Sequence, residues 1–267
     1  MRTQIDPECC LLTLLTAYRL LQPFEDEDDD EYEYDFEMIA NPDELCRVLH
    51  LASPALPIGS FSYSQGLETA VELGLIQNEE DAFAWIANGL TEIVGRCDAP
   101  VVAFIRRACS SHPPTDAPSE IAYWNSWFLA SRESMELRRE TEQMGWSLLQ
   151  LAHALNWIAP EAVTAELEPV AFPTAFALSA SGLALTETTT LTAFCFSWLE
   201  TQVAAAMKLV PLGQTAGHTI LNQCRTKIPM VIRAAADMTP EDISSWAPML
   251  GILSARHESQ YSRLFRS

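Results

Sequence analysis

The sequence predicts an all-α fold: a single helical-bundle-like domain of roughly eight to ten helices, preceded by a disordered acidic extension. Three observations predict this class. Apolar residues recur at the helical spacing i, i+3, i+4, i+7 in several long windows. Prolines from Pro100 to Pro248 fall at helix-length intervals, and no stretch alternates polar and apolar residues for long enough to form a sheet. The chain has 267 residues, of which 48 % are hydrophobic, so it can bury a sizeable core.

The extension is residues 1–40, and the all-α domain is residues 41–267. Residues 25–37 contain ten acidic residues and no Lys or Arg. Because so many like charges repel one another, this stretch cannot pack without partners and is expected to be disordered. The formal net charge is −20, so the remaining residues carry −20 + 10 = −10.

This net negative charge argues against a protein that binds nucleic acid or an anionic membrane through its overall charge. The stretch from Cys9 to Leu21 is interrupted by polar residues and is shorter than the roughly 20 apolar residues of a membrane span. It also lacks the basic leader and cleavage site of a signal peptide. The seven cysteines show no CxxC spacing, and their number is odd. We therefore expect reduced thiols and a cytoplasmic protein.

Three helices can be placed from apolar stripes. Asn78 is a plausible N-cap for a helix over residues 79–95, since three acidic residues follow it in the first turn. A second stripe runs from Leu137 to Leu155, and its first half is surrounded by charged residues. A third helix is predicted from about Glu187 to Leu209. The prolines are expected mostly where a helix starts or stops.

Residues 51–68 form a loop between helices. Pro54 and Pro57 enforce an extended path, and Ser62 with Gln65 can form a capping box for the next helix. An alternative is a helical serine hydrolase, because Ser64 lies in the second half of a GxSxG nucleophile elbow. The elbow requires a strand before the serine, whereas this sequence has a proline loop.

A second break is predicted near residue 211, where Pro211 and Gly213 separate two long helices. Lys208 is expected in the last turn of the first helix, where its charge suits the helix dipole. Gln214 is left free to hydrogen-bond a partner.

The C-terminal segment is basic and aromatic within an acidic protein. The segment contains three arginines and only one acid: Arg256, Arg263, Arg266 and Glu258. Two bulky apolar residues, Leu264 and Phe265, lie close to its end. A disordered tail would gain nothing from such residues. The segment either folds back onto the domain or docks into another protein, with Arg as a favoured interface residue.

No segment carries a catalytic or metal-binding signature. The five histidines show no HxH or HExxH spacing, and no glycine-rich phosphate loop is present. The sequence therefore predicts no catalytic residue, no resident metal and no nucleotide site of its own.

Three segments, with a fourth between them, resemble the urease accessory protein UreF family. They are LASPALPIGSFSYSQGLETAVELG at the start of the domain, ASRESMELRRE at 130–140, KLVPLGQ near 210 and SARHESQYSRLFRS at the end. The resemblance covers residues 43–267 and leaves the acidic extension outside. Three widely spaced motifs in the family's order make it specific.

The resemblance implies an all-α, non-enzymatic accessory protein of the cytosol. Family members act with UreD (also called UreH) and the GTPase UreG to insert nickel into the urease apoprotein, form homodimers in some species and influence GTP hydrolysis by UreG. The resemblance implies no stably bound cofactor; nickel is in transit, and GTP is held by the partner. A general helical adaptor unrelated to urease remains a further alternative.

The resemblance also directs attention to candidate residues. Those expected to bind partners are Arg256, His257, Tyr261, Arg263, Leu264, Phe265, Lys208 and Gln214. Three polar residues are candidates for a nickel path by their chemistry alone: Ser62, Ser64 and Gln65.

Overall fold

The computed structural model describes residues 41–110, 117–159 and 167–266, and they form a single all-α domain. The predicted disorder of the acidic extension lies outside these residues. The helices are α1 Pro42–Leu51, α2 Leu67–Glu72, α3 Glu79–Asn88, α4 Ala99–Ser110, α5 Ala117–Ala130, α6 Met135–Ala154, α7 Phe172–Gly182, α8 Glu187–Leu209, α9 Gln214–Arg225, α10 Ile228–Asp237 and α11 Pro248–His257. A 3-10 turn covers Ser60–Ser62 and a π-helix covers Gly89–Asp98. The described part of the chain contains no strand, which confirms the all-α prediction.

The first predicted helix begins as expected but runs further. The Asn78 side chain caps α3 by accepting from the Asp81 N–H at 3.0 Å. Beyond residue 88 the chain stays helical through the π-helix into α4, so Pro100 does not end the helix as a proline was expected to do. Pro100 has no N–H, and the Arg96 carbonyl four residues earlier accepts instead from the Ser244 N–H at 3.0 Å. The Ser244 N–H, in a distant loop, thus replaces the main-chain donor that Pro100 lacks.

The third predicted helix is confirmed as α8, with Thr186 as its N-cap. Its last turn carries Lys208, as predicted, and the chain leaves the helix in an extended conformation at Val210. Helix α9 starts again at Gln214 after Gly213. The proline–glycine break therefore separates two helices as expected.

The core lies where α7 meets α6 and α8. Phe176 of α7 packs edge-on against Phe194 of α8, with ring centroids 5.2 Å apart. On the other side, Gly145 of α6 faces the Val170 carbonyl so closely that no side chain fits there. The buried Asn125 amide fixes the segment before α7, because its Oδ1 accepts from the Ala171 N–H at 2.9 Å.

The loop before α2 departs from the predicted capping box. Gln65 and Gly66 have φ values of 51° and 80°, which turn the chain before α2 begins. Ser62 stays in the 3-10 turn, and the Ser64 hydroxyl accepts from the Glu68 N–H at 3.3 Å instead. The capping-box prediction is wrong because positive φ at two consecutive residues prevents Gln65 from entering the helix.

None of the helices in the described ranges combines the length and the apolar character needed to cross a membrane.

Candidate functional site: the anchored C-terminal tail

The C-terminal tail, residues 258–266, folds back onto the domain between α2 and α6. Four ionisable residues hold it, and we call them the anchor cluster: Glu68 of α2, Glu136 of α6, His257 at the end of α11, and Arg263 of the tail. Of the two behaviours expected of this segment, the structure shows folding back.

His257 is fully buried between the two carboxylates of the cluster. Its Nδ1 lies 2.8 Å from Glu136 Oε2, and its Nε2 lies 3.0 Å from Glu68 Oε2. Both ring nitrogens donate to these carboxylates when the ring is an imidazolium. The two buried carboxylates are then compensated by the buried ring and by the exposed Arg263 guanidinium.

Glu68 binds the tail main chain directly. Its Oε1 accepts from the Leu264 N–H at 2.6 Å, and its Oε2 accepts from the Phe265 N–H at 2.9 Å. Glu136 accepts from Arg263 at 2.9 Å. These charge-assisted bonds are stronger than neutral ones, so two acids on separate helices fix the course of the tail.

Further bonds extend the attachment at both ends. The Arg266 N–H donates to the Ser62 carbonyl at 2.7 Å, and Thr69 donates to Gln260 at 3.1 Å. Gly66 lets α11 approach α2, because a Cβ there would lie 3.3 Å from Leu253 Cβ. The glycine is thus required both by its positive φ and by this close approach.

The anchored tail presents some side chains inward and others outward. Phe265 is buried, and the Lys208 Nζ lies 5.3 Å from its ring centroid, within cation–π range. Leu264 is 63 % exposed and Tyr261 is completely exposed. The cluster therefore orders a segment that displays two apolar side chains to solvent.

A comparison with known protein families identifies the family of the chain. The model of the UreF family matches residues 76–225, which is more than half of the chain. The chain belongs to the UreF family. UreF proteins are urease accessory proteins with a role in urease maturation and are not catalytic enzymes. Membership of this family does not support the two alternative functions, a helical serine hydrolase and an adaptor unrelated to urease.

The structure of this UreF chain brings together most of the predicted partner-binding residues. His257 and Phe265 are buried in the tail attachment, whereas Arg256 is exposed on the last turn of α11. Lys208 joins them through the Phe265 ring. Gln214 is exposed in the first turn of α9 and has no described contact with the tail.

The three residues proposed for a nickel path have different surroundings in the UreF fold. Ser64 is fully buried, and Ser62 binds the tail through its carbonyl. Gln65 links two long helices: its Nε2 donates to Glu140 of α6 at 2.7 Å, and its Oε1 accepts from the Trp198 indole of α8 at 2.8 Å. Its unusual φ is therefore maintained by bonds on both sides of the amide.

Gln65 also lines a cavity between α1, α5, α6, α7 and α8, whereas Ser62 and Ser64 do not. The cavity has a volume of about 70 Å³, and its walls are mainly apolar. Its charged lining residues are Asp98, Arg132, Glu140 and Glu200.

A buried arginine occupies one end of this cavity. Arg132 stacks on the Phe128 ring at 4.0 Å, and its guanidinium donates to Cys97 Sγ at 3.2 Å and to Asp98 Oδ1 at 3.5 Å. Burial raises the pKa of the Asp98 carboxyl and raises that of the Cys97 thiol to about 12. Among the described residues no group of three or more His, Cys, Asp and Glu is placed to hold a metal ion.

Sequence reasoning identified the tail but missed the acids that bind it. Glu68 and Glu136 are each less than a tenth exposed, although both belong to segments that carry the family resemblance. The available signal was an isolated acid at a core-facing position, since Glu68 lies beside Leu67 and Ala70 on α2. A buried acid requires a donor partner, and the basic tail could have been suspected of supplying it.

Proposed function

We propose that this UreF chain bridges UreD (also called UreH) and the GTPase UreG, helps to deliver nickel to the urease apoprotein and modulates GTP hydrolysis by UreG. The observation that supports the proposal best is the anchored tail, in which Tyr261 and Leu264 point outward from a segment held by buried charges. A pre-ordered segment binds a partner with a smaller loss of conformational entropy than a disordered one. The tail is thus suited to dock UreD or UreH.

Lys208 connects this docking surface with the break between α8 and α9. Its ammonium group lies over the Phe265 ring on the tail side, while Gln214 begins the next helix. Binding at the tail can therefore change the surroundings of Lys208. We assign the exposed surface around Lys208 and Gln214 to contact with UreG.

Nickel is cargo that passes through the protein rather than a resident cofactor. The cavity behind Gln65 contains carboxylates from Asp98 and Glu140 and the amide of Gln202, all of which offer oxygen atoms to a passing cation. Arg132 offsets one of these charges, which favours passage over tight binding. Of the residues predicted for the nickel path, we therefore retain Gln65.

Co-expression of the tagged chain with UreD, UreG and urease apoprotein tests the bridge. Tyr261→Ala and Leu264→Ala remove exposed groups without disturbing the anchor cluster, and Arg263→Ala removes an anchoring group. Arg233→Ala, an exposed arginine on α10 with no described partner, is the matched control. We expect the first three variants to weaken recovery of UreD and UreG and to lower urease activity in nickel-supplemented cells.

A central interface residue typically contributes about 2 kcal/mol or more, which is roughly a thirtyfold change in affinity. Unchanged co-purification for all tail variants would contradict the bridging role. GTP hydrolysis by UreG, measured with the wild-type chain and with Lys208→Ala, tests the regulatory part separately. Equal rates with and without the wild-type chain would contradict it.

A further inference from the structure

A pocket with basic and aromatic walls lies beside the tail on the outer face of α6. Its lining includes Arg139, Gln143 and Trp146, spaced four and then three residues apart on one side of the helix, together with Arg266 of the tail. The walls are completed by Tyr63, Pro169, Arg263 and two acids, Glu136 and Glu142. The pocket has a volume of about 580 Å³.

The acids of this pocket already have partners, whereas one of its arginines has none. Glu136 accepts from Arg263 and from His257, and Glu142 pairs with Arg138 at 2.9 Å. The side chain of Arg139 is exposed and makes no hydrogen bond or ion pair with any described residue. Burial raises the pKa of the Tyr63 phenol, and the nearby Arg266 guanidinium acts in the opposite direction. Uncompensated positive charge therefore collects here in a protein that is otherwise acidic.

An aromatic surface accompanies this charge. Trp146 is 60 % exposed, and its ring forms a wall of the pocket beside Pro169. Exposed tryptophan and arginine side chains are the residue types most enriched among energetically dominant interface positions. The combination is suited to a ligand that carries both negative charge and an apolar or aromatic group.

The dimensions distinguish between kinds of anion. Arg139 and Trp146 are seven residues apart on α6, which places them roughly 10 Å apart along the helix axis. A single phosphate group cannot span that length, whereas about three residues of extended peptide can. The guanidinium fork of Arg139 matches a carboxylate in two parallel hydrogen bonds.

We propose that this pocket binds an acidic peptide segment of a partner protein, with a carboxylate on Arg139 and an aromatic or apolar side chain on Trp146. The inference deepens the proposed function, since it names the chemistry of a segment that would dock beside the tail. Peptide binding to the isolated chain does not depend on urease maturation, so the two proposals can fail separately.

Fluorescence anisotropy with the full chain tests the pocket. The probe is a short fluorescein-labelled peptide of alternating glutamate and tyrosine, and the control peptide has glutamine in place of each glutamate. We expect the acidic probe to bind more tightly than the control and to weaken as salt is added, because exposed charges are screened. Arg139→Ala and Trp146→Ala should each weaken binding by roughly tenfold or more, and Arg233→Ala should not change it.

Arg139→Lys distinguishes a point charge from a bidentate fork, and we expect it to restore only part of the affinity. Both tested side chains are exposed, so unchanged helical circular dichroism is expected in every variant. Equal affinity of wild type, Arg139→Ala and Trp146→Ala would overturn the proposal, as would failure of the acidic probe to bind. Displacement of the probe by inorganic phosphate at matched charge concentration would overturn it in favour of a simple anion site.

Discussion

Glu68 offers the most direct test of the anchored tail. The residue is 7 % exposed, and its carboxylate contacts the His257 ring and accepts from the main-chain N–H groups of Leu264 and Phe265. Glu68→Gln keeps the size of the side chain but removes the negative charge. One of the oxygens becomes an NH₂ group, which faces a donor instead of accepting from it.

The expected loss in the free energy of tail attachment follows from these contacts. Breaking a buried charge pair by altering one partner costs about 3–5 kcal/mol, because the remaining charge is left uncompensated. The contact between His257 and Glu136 is unchanged by Glu68→Gln, so we use the lower value. A loss of about 3 kcal/mol in tail attachment raises the population of the released tail by roughly a hundredfold.

Limited digestion with trypsin measures this population. The bond after Arg263 is protected while the Leu264 N–H is held by Glu68, so cleavage there requires release of the tail. We expect Glu68→Gln to accelerate cleavage at this bond by roughly a hundredfold, up to the rate of an unstructured peptide, as read by intact mass. Glu241→Gln, at an exposed acid with no described partner, is the matched control and should digest like wild type.

The reasoning would be refuted if Glu68→Gln and wild type released the C-terminal residues at the same rate. Circular dichroism and the rate of cleavage at other arginines separate release of the tail from general unfolding. An increase at every site would indicate a folding defect. An increase confined to the tail would support the anchor cluster.

Three other predictions address the fold and its thiols. Gly145→Ala should destabilise the domain by about 1–3 kcal/mol in urea unfolding, because the added methyl overlaps a main-chain carbonyl, while Gly213→Ala, where a Cβ meets no atom within 4 Å, should be nearly neutral. Asn78→Ala should lower the free energy of unfolding by about 1 kcal/mol through loss of the α3 cap, and unchanged stability would contradict that role. Iodoacetamide at mildly alkaline pH should alkylate the exposed Cys46 and spare Cys97, whose pKa is raised to about 12 by burial; equal labelling by mass spectrometry would show that the Cys97 site opens readily.

Local sequence signals predicted the helices because they act within a few residues. Asn78 and Thr186 cap their helices through side-chain bonds to N–H groups three residues ahead, and such bonds need no tertiary context. Pro100 misled the same reasoning because its effect depends on a partner that is distant in sequence. The carbonyl that it leaves without a helical donor is satisfied by Ser244, and no local pattern reveals that bond.

The sequence predicted the tail of the candidate site but not the acids that bind it. The basic and apolar composition of residues 254–267 identified the tail as an ordered or partner-binding element; Phe265 is buried, whereas Leu264 is exposed. Its anchors could not be found in the same way, because a buried acid and a solvated acid look alike in a sequence. Which acid meets which donor is decided over separations of 127 and 196 residues, between Glu136 and the Arg263 guanidinium and between Glu68 and the Leu264 N–H.

The sequence by itself determined the all-α class, the caps and breaks of the main helices, the family and the presence of a distinctive tail. These follow from periodicity, short-range hydrogen bonding and motif identity. Only the tertiary structure decided that Gln65 joins α6 to α8, that Lys208 meets Phe265 and that His257 lies between two carboxylates. Those contacts arise from the packing of α2, α6, α8 and α11 against one another, and the charges they bury are stable only when all of their partners are in place.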